Sequence, residues 1–391
     1  MSSPPLLPLR VVAAAALLAL PCHVSQAQPA AAPRAATAPA PVLVSPEVHA
    51  DGRVTFRFRA PTAGDVAVGR SGADRLPMVK DEEGVWSATT GALEPDIYQY
   101  TFSVDGRTTL DPLNTWVAPN LLNMSNMVRV PGPSSGDGHR PWDVADVPRG
   151  QLHRHFYASA RVGDHRDYYV YTPPGYDARR TEAYPVLYLL HGFSDDASGW
   201  TAVGQAHVIL DNLIAARRVT PMLVVMTLGY GAPEILTRGP RAPGLGQRNM
   251  EGYRDALFAE VIPAIERDYH ADTRRERRAI AGLSMGGAES LFVGLNAIDR
   301  FGWIGAFSSG GLGDATQFAT LFPSLTSAEG RRLRLLWIAC GTEDRLIDAN
   351  RQFRAFLTER GVPHEAIETA GAHTWTVWRR NLATFATLIF R

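Results

Sequence analysis

The run Arg278-Ala279-Ile280-Ala281-Gly282-Leu283-Ser284-Met285-Gly286-Gly287 holds a serine between two glycines at the end of an apolar stretch, and small, helix-compatible residues follow to Leu295. Gly-x-Ser-x-Gly in this setting is the sequence form of a nucleophile elbow: strand, strained turn, helix, with the hydroxyl at the apex. The glycines are needed because the serine backbone is forced out of its preferred region and neighbouring Cβ atoms would clash. The following helix aims its N-terminal N–H groups at the place where an oxyanion would form. A serine hydroxyl is a weak nucleophile and needs a histidine base held by a carboxylate. With a nucleophile elbow the chain order is serine, acid, histidine. Cys340-Gly341-Thr342-Glu343-Asp344 follows an expected strand, so the candidate acids are Asp344, Glu343 and Asp348. Gly371-Ala372-His373 follows the short segment Glu365 to Thr369; the other downstream histidine, His364, precedes an expected edge strand, which favours His373 as base.

An oxyanion hole takes the N–H of the residue after the nucleophile, Met285, and a second from another loop. Leu189-Leu190-His191-Gly192-Phe193 supplies it: a strand ends in His-Gly, and the glycine lets the Phe193 backbone turn into the site. His191, directly before the turn, reads as structural. No Cys/His/Asp set has metal-ligand spacing and no Gly-rich loop has phosphate-binding form, so no metal or other cofactor is expected.

These residues need elements to hold them. Val186 to Leu190, Met222 to Thr227, Arg278 to Gly282 and Leu333 to Cys340 are apolar runs that read as buried parallel strands. Tyr253 to Tyr269, Asp348 to Arg360 and Trp375 to Phe390 read as helices between and after them. Strands alternating with helices specify a doubly wound α/β sheet over residues 151–391, with Ser284 at the carboxyl end of a central strand. Residues 42–130 differ: Val54 to Phe58, Val66 to Val68, Val85 to Ala88 and Tyr98 to Val104 alternate with period two and are separated by Asp-Gly, Gly and Pro turns. That predicts a small antiparallel, immunoglobulin-like β-sandwich. Residues 131–150, with Gly, Pro, Ser and Asp, read as a linker. Because every candidate catalytic residue lies beyond Gln151, the sandwich is expected to be dispensable for hydrolysis of a small soluble ester.

The 391 residues carry 45% hydrophobic and 20% charged side chains at a formal net charge of +0. That composition is globular and argues against nucleic acid or an anionic membrane as partner. Arg10, the apolar run Val11 to Leu20 and Ser25-Gln26-Ala27 read as a signal peptide over residues 1–27, too short to span a bilayer, followed by an Ala/Pro linker over 28–41. The expectation is a secreted or periplasmic protein with no membrane attachment after cleavage. Cys22 leaves with the signal, and Cys340 remains as a buried small hydrophobe.

Residues 150–391 resemble the esterase D-like family. It includes feruloyl esterases of carbohydrate esterase family 1, acetylxylan esterases, enterochelin esterases, S-formylglutathione hydrolase and mycolyltransferases. The resemblance is carried by Val170-Tyr171-Thr172-Pro173-Pro174-Gly175-Tyr176, Pro185 to Gly192, Ala279 to Gly287, Gly341 to Asp344 and Gly371 to Trp378. It implies the α/β-hydrolase fold, with Ser284 as nucleophile, Asp344 as acid, His373 as base, and Phe193 and Met285 as oxyanion donors. The block 42–130, with Leu110-Asp111-Pro112-Leu113-Asn114, resembles the early-set domain related to carbohydrate-binding module family 48. The Gly/Pro/Arg-rich insert Ala232 to Met250 has no counterpart in the resemblance.

The implied substrate is an esterified polysaccharide or a small aromatic ester, feruloyl before acetyl, on plant cell-wall xylan. Phe193, Trp200 and Trp375 are candidates to stack on a hydroxycinnamoyl ring, and Trp86 and Trp116 are candidate sugar platforms. A siderophore esterase of the enterochelin type is the alternative, with Arg238, Arg241 and Arg248 as its basic pocket. A non-catalytic carbohydrate-binding protein is the alternative from another class, opposed by the complete serine-acid-histidine set. The sequence gives no oligomeric state.

Overall fold

A computed structural model of the chain describes residues 42–132, 139–240 and 242–391. The expected signal peptide and the linker 28–41 lie outside the described residues. The main sheet has eight strands: β1 Gln151–Ala158, β2 His165–Thr172, β3 Val186–Leu190, β4 Leu223–Thr227, β5 Arg278–Leu283, β6 Trp303–Phe307, β7 Leu335–Gly341 and β8 Glu365–Thr369. Their spatial order is β1-β2-β4-β3-β5-β6-β7-β8. The first two form an antiparallel hairpin, and everything from β4 to β8 pairs in parallel. This is the doubly wound sheet expected, with the serine strand β5 in the middle.

Period-two alternation divides the side chains of each buried strand between two cores. Val186, Tyr188 and Leu190 of β3, with Ile280, Ile304, Ala306, Leu336 and Ile338, pack under the helices Leu245–Ala256 and Met285–Leu295. Leu187 and Leu189, with Ala279, Ala281, Leu283, Phe307 and Trp337, pack under Ala206–Ala215 and Trp375–Ala386. The central strands are buried on both faces, which is why they read as uninterrupted apolar runs.

Several elements differ from expectation. The helix expected from Tyr253 starts at Leu245 and runs on through a π-turn, Leu257–Val261, to Asp268. The final helix stops at Ala386 rather than Phe390. Strand β6 was not anticipated, because Gly305 interrupts its apolar run. That glycine is required by a neighbour: a Cβ there would lie 2.8 Å from the Phe385 ring on the final helix.

Before this sheet stand two antiparallel sheets around a shared core. One is four-stranded and contains Val54–Arg59 and Val85–Thr89. The other is six-stranded and contains Val66–Arg70, Asp96–Val104 and Ser125–Val130. Val54, Phe56, Val68, Trp86, Tyr100, Phe102 and Val128 fill the space between them.

This β-domain is not a separable appendage. Ile97, Ala118 and Met127 belong to the same apolar cluster as Trp200, Trp378 and Phe385 of the α/β region. Asp96 and Arg379, both fully buried, pair across the boundary. Arg379 also donates to the carbonyl oxygens of Val203 (3.0 Å) and Ile97, and Arg380 reaches the second Asp96 oxygen at 3.2 Å. The described part of the expected linker, 139–150, is packed as well. Trp142 is buried, and Asn212 donates to the carbonyls of Pro141 and Asp143. The expectation of a dispensable sandwich is therefore corrected: its removal would strip one face of the catalytic core and leave a buried guanidinium unpaired.

Breaking a buried pair from one side costs about 3–5 kcal/mol because the other charge is stranded. Asp96→Ala is expected to lower the unfolding free energy by that order in urea titrations. The exposed pair Arg53–Asp51 provides the contrast: Asp51→Ala is expected to change stability by less than about 1 kcal/mol.

Candidate active site

Ser284 joins β5 to the helix Met285–Leu295 with φ +52° and ψ −114°, a left-handed conformation that a serine does not adopt without support. The support is local and tight. Its N–H donates to the carbonyl of Phe307 on β6 at 2.8 Å, and its own carbonyl accepts the N–H of Ala288 at 3.1 Å. Gly282 and Gly286 face each other across the turn, where a Cβ on Gly282 would collide with the Gly286 carbonyl and one on Gly286 with that of His191. The two glycines of the motif are thus where strand, helix and the β3 loop touch backbone to backbone.

The candidate base and acid arrive from the ends of β8 and β7. His373 Nε2 lies 3.0 Å from the Ser284 hydroxyl, and Nδ1 lies 2.7 Å from Asp344 Oδ2. An ionised carboxylate only accepts, so Nδ1 carries the proton and Nε2 is left to accept the serine proton. Asp344 is buried; burial pushes its carboxyl up, but the hydrogen bond and charge of His373 and the N–H of Leu346 outweigh this and hold it below its ordinary value. Gly341 lets the two loops meet, since any side chain there would strike the Gly371 carbonyl. The Trp378 ring stands edge-on to the imidazole at 4.8 Å, and its N–H is held by the Ser308 hydroxyl. The rival acids are excluded by placement: Glu343 and Asp348 are exposed, and Asp348 pairs with Arg351. His364 bonds to the Val362 carbonyl, away from the serine.

Met285 is the first residue of its helix, so its N–H has no intrahelical acceptor. Phe193 follows Gly192 at the tip of β3, and no acceptor is found for its N–H among the described residues. Gly192 is again a close approach, its missing Cβ lying 2.6 Å from Leu283 Cδ1. His191 is structural, as expected. Its Nδ1 donates to the Gly192 carbonyl, its Nε2 accepts the N–H of Gly229, and burial pushes its pKa down to about 4. Cys340 is also buried, with its thiol pushed up to about 12 by that burial.

A cavity of about 210 Å³ opens beside Ser284. Phe193, Ile235, Pro240, Met250 and Leu346 make its walls apolar, and Arg345 adds a cation. Sequence reasoning missed most of this lining. Ile235, Pro240 and Met250 come from the insert 232–250, which has no counterpart in the resemblance; it folds as Ile235–Arg238 and the start of the long helix. Asn249 from the same insert donates to Glu289 Oε1 at 2.8 Å, and burial holds the Glu289 carboxyl well above its ordinary value.

Two substrate-binding expectations are corrected. Trp200 is fully buried, its indole N–H bonded to the Leu190 carbonyl, and Trp375 packs edge-on against it at 5.1 Å. Both rings close over Gly204 beneath the site, and neither lines the cavity. Phe193 alone of the three aromatic candidates does. Trp86 lies in the β-domain core, and Trp116 packs against the α/β cluster with Arg129 over its ring. Arg238 and Arg248 are exposed and absent from the cavity lining, and Arg241 lies outside the described residues.

A family model described as a putative esterase matches residues 159–387. The chain is 29% identical over 354 residues to an endo-1,4-beta-xylanase/feruloyl esterase of Xylanibacter ruminicola, spanning 88% of this chain but only 46% of that relative. A ferulic acid esterase from Anaeromyces mucronatus, solved in complex with ferulic acid, superposes with a TM-score of 0.54 at 25% identity, covering 63% of this chain and 93% of the other. The enterochelin esterase of Shigella flexneri shares the fold over 87% of this chain and 93% of its own, with a TM-score of 0.66 at 20% identity. On these grounds the chain belongs to the putative esterase family.

Proposed function

We propose that the protein is an exported serine esterase that removes hydroxycinnamoyl groups from plant cell-wall xylan, with Ser284, His373 and Asp344 as its catalytic triad. The observation that carries this reading is the unbroken hydrogen-bonded line from Asp344 through His373 to Ser284 at the foot of an apolar cavity. His373 Nε2 takes the serine proton as Oγ attacks the ester carbonyl. The oxyanion is received by the N–H groups of Phe193 and Met285. The imidazolium then gives its proton to the departing alcohol, leaving an acyl-enzyme that a water, activated by the same histidine, hydrolyses. Asp344 keeps the imidazole in the required tautomer throughout.

The cavity supports an aromatic acyl group over an acetyl group, because its walls are apolar and it has room for more than a methyl. The siderophore alternative asks for a basic pocket. Of the arginines singled out for it, Arg238 and Arg248 stand elsewhere on the surface, and among the described residues Arg345 is the cation that reaches the cavity. In this reading the β-domain is an immunoglobulin-like, early-set module, and export removes residues 1–27. N-terminal sequencing of exported protein is expected to begin near Gln28; retention of Met1 would remove the export claim.

One set of assays tests the chemistry. Methyl ferulate is expected to be turned over with a kcat/KM at least about tenfold above that for an acetylated xylan, about 1.4 kcal/mol of transition-state binding, and above ferric enterobactin. In the same assay Ser284→Ala, His373→Ala and Asp344→Asn should each lower kcat by roughly 10⁴-fold or more, whereas Asp348→Asn should not. Preference for the acetyl ester would reassign the acyl group; selectivity for enterobactin would overturn the plant-wall reading.

A further inference from the structure

The β-domain touches both halves of the catalytic machinery. Its turn at Gly72, with φ +73°, lies against the histidine loop so closely that a Cβ would stand 2.9 Å from Thr374 Cγ2 and 3.7 Å from Ala372 Cβ. Asn120, in the loop after the strand Val117–Ala118, reaches the other half. Its Nδ2 donates to Ser194 Oγ and to Asp195 Oδ1, each at 3.0 Å, and the Leu121 N–H donates to the Ser194 carbonyl at 2.8 Å. Asn120 Oδ1 accepts the N–H groups of Leu122 and Asn123, which fixes the direction of the amide.

These contacts bracket Phe193. On its C-terminal side, Ser194 stands at φ +73°, a conformation that persists only where neighbours over-determine it. On its N-terminal side, the Gly192 carbonyl of the same peptide accepts the Asp195 N–H at 3.2 Å and the His191 Nδ1 at 2.7 Å. Fixing the residues on both sides fixes the Phe193 peptide plane, and with it the direction of the N–H. We propose that Asn120 is a positioning residue for the oxyanion hole, holding the Phe193 N–H in line from the β-domain through Ser194 and Asp195. This rests on the reading of Phe193 as an oxyanion donor in a serine esterase. The second role of the domain is then mechanical: besides covering one face of the core, it sets the hole.

An oxyanion donor misplaced by about an ångström costs on the order of 10–100-fold in rate with little effect on ground-state binding. The test uses the full-length chain and a small soluble ester. Asn120→Asp keeps the Oδ1 contacts and loses the donor, and Ser194→Ala removes only the hydroxyl acceptor. Asn120→Asp is expected to lower kcat about tenfold or more with KM within about twofold, and Ser194→Ala to lower it less. The inhibition constant of phenylboronic acid, whose tetrahedral serine adduct puts an oxygen in the hole, should rise by the same factor as kcat falls. Unchanged kcat and boronate affinity in both variants would overturn the proposal. So would a rise in KM with kcat intact, or a fall in kcat with boronate affinity retained. Labelling of wild-type Ser284 by a fluorophosphonate checks the serine esterase reading independently, so its failure is distinguishable from that of the proposal.

Discussion

The left-handed backbone of Ser284 is the constraint from which the site is built. A serine at φ +52° is costly, and the cost is offset by contacts that leave the turn no alternative. Gly282, Gly286 and Gly192 allow β5, the following helix and the β3 loop to meet without intervening side chains. The hydrogen bond from Ser284 N to Phe307 O ties the turn to β6, and β6 is held by the aromatic packing of Phe307 against Trp200, Trp337 and Phe385. Ser284 stands where it does because four elements converge on one peptide.

Around that turn the protein buries polar groups that a plain apolar core would avoid. His191, Asp195, Asn249 and Glu289 are all buried within reach of the cavity or its loops. Burial shifts each titratable one toward its neutral form: His191 down to about 4, Asp195 up to about 7 and Glu289 well above its ordinary value. Neutral groups of this kind can give and accept directed hydrogen bonds without setting a competing charge beside the reacting oxygen. They fix the loops after β3 and β4, which carry no regular ladder of their own. Asp344 is the exception. It is held below its ordinary value by His373, and among the described residues it is the buried carboxyl that bonds to the His373 ring.

The β-domain belongs to this construction physically. Arg379 follows His373 by less than two turns of helix, and its guanidinium is buried against Asp96 of the β-domain. The histidine loop is therefore braced from below by the same domain that grips the oxyanion loop through Asn120. A buried ion pair of this kind adds little net stability over an apolar pair, but it tolerates only one register between the surfaces it joins.

Sequence alone determined what local pattern and chain order can determine. The Gly-x-Ser-x-Gly turn, the buried runs Val186 to Leu190 and Arg278 to Gly282, and the loops after them that carry Asp344 and His373 were legible because each depends on residues close in the chain. His191 and Cys340 were also read correctly, since their flanking strands already implied burial. What lines the cavity was decided by tertiary structure. Trp200 and Trp375 looked available for a substrate until packing turned them inward around Gly204, and Ile235, Met250 and Arg345 came to the serine from segments that carried no signal for it. The β-domain contacts were equally hidden: Asp96 and Arg379 are 283 residues apart, and Asn120 and Ser194 are 74 apart. No periodicity spans such distances. A side chain's neighbours there are set by how sheets and helices pack, and that is settled only when the whole chain has folded.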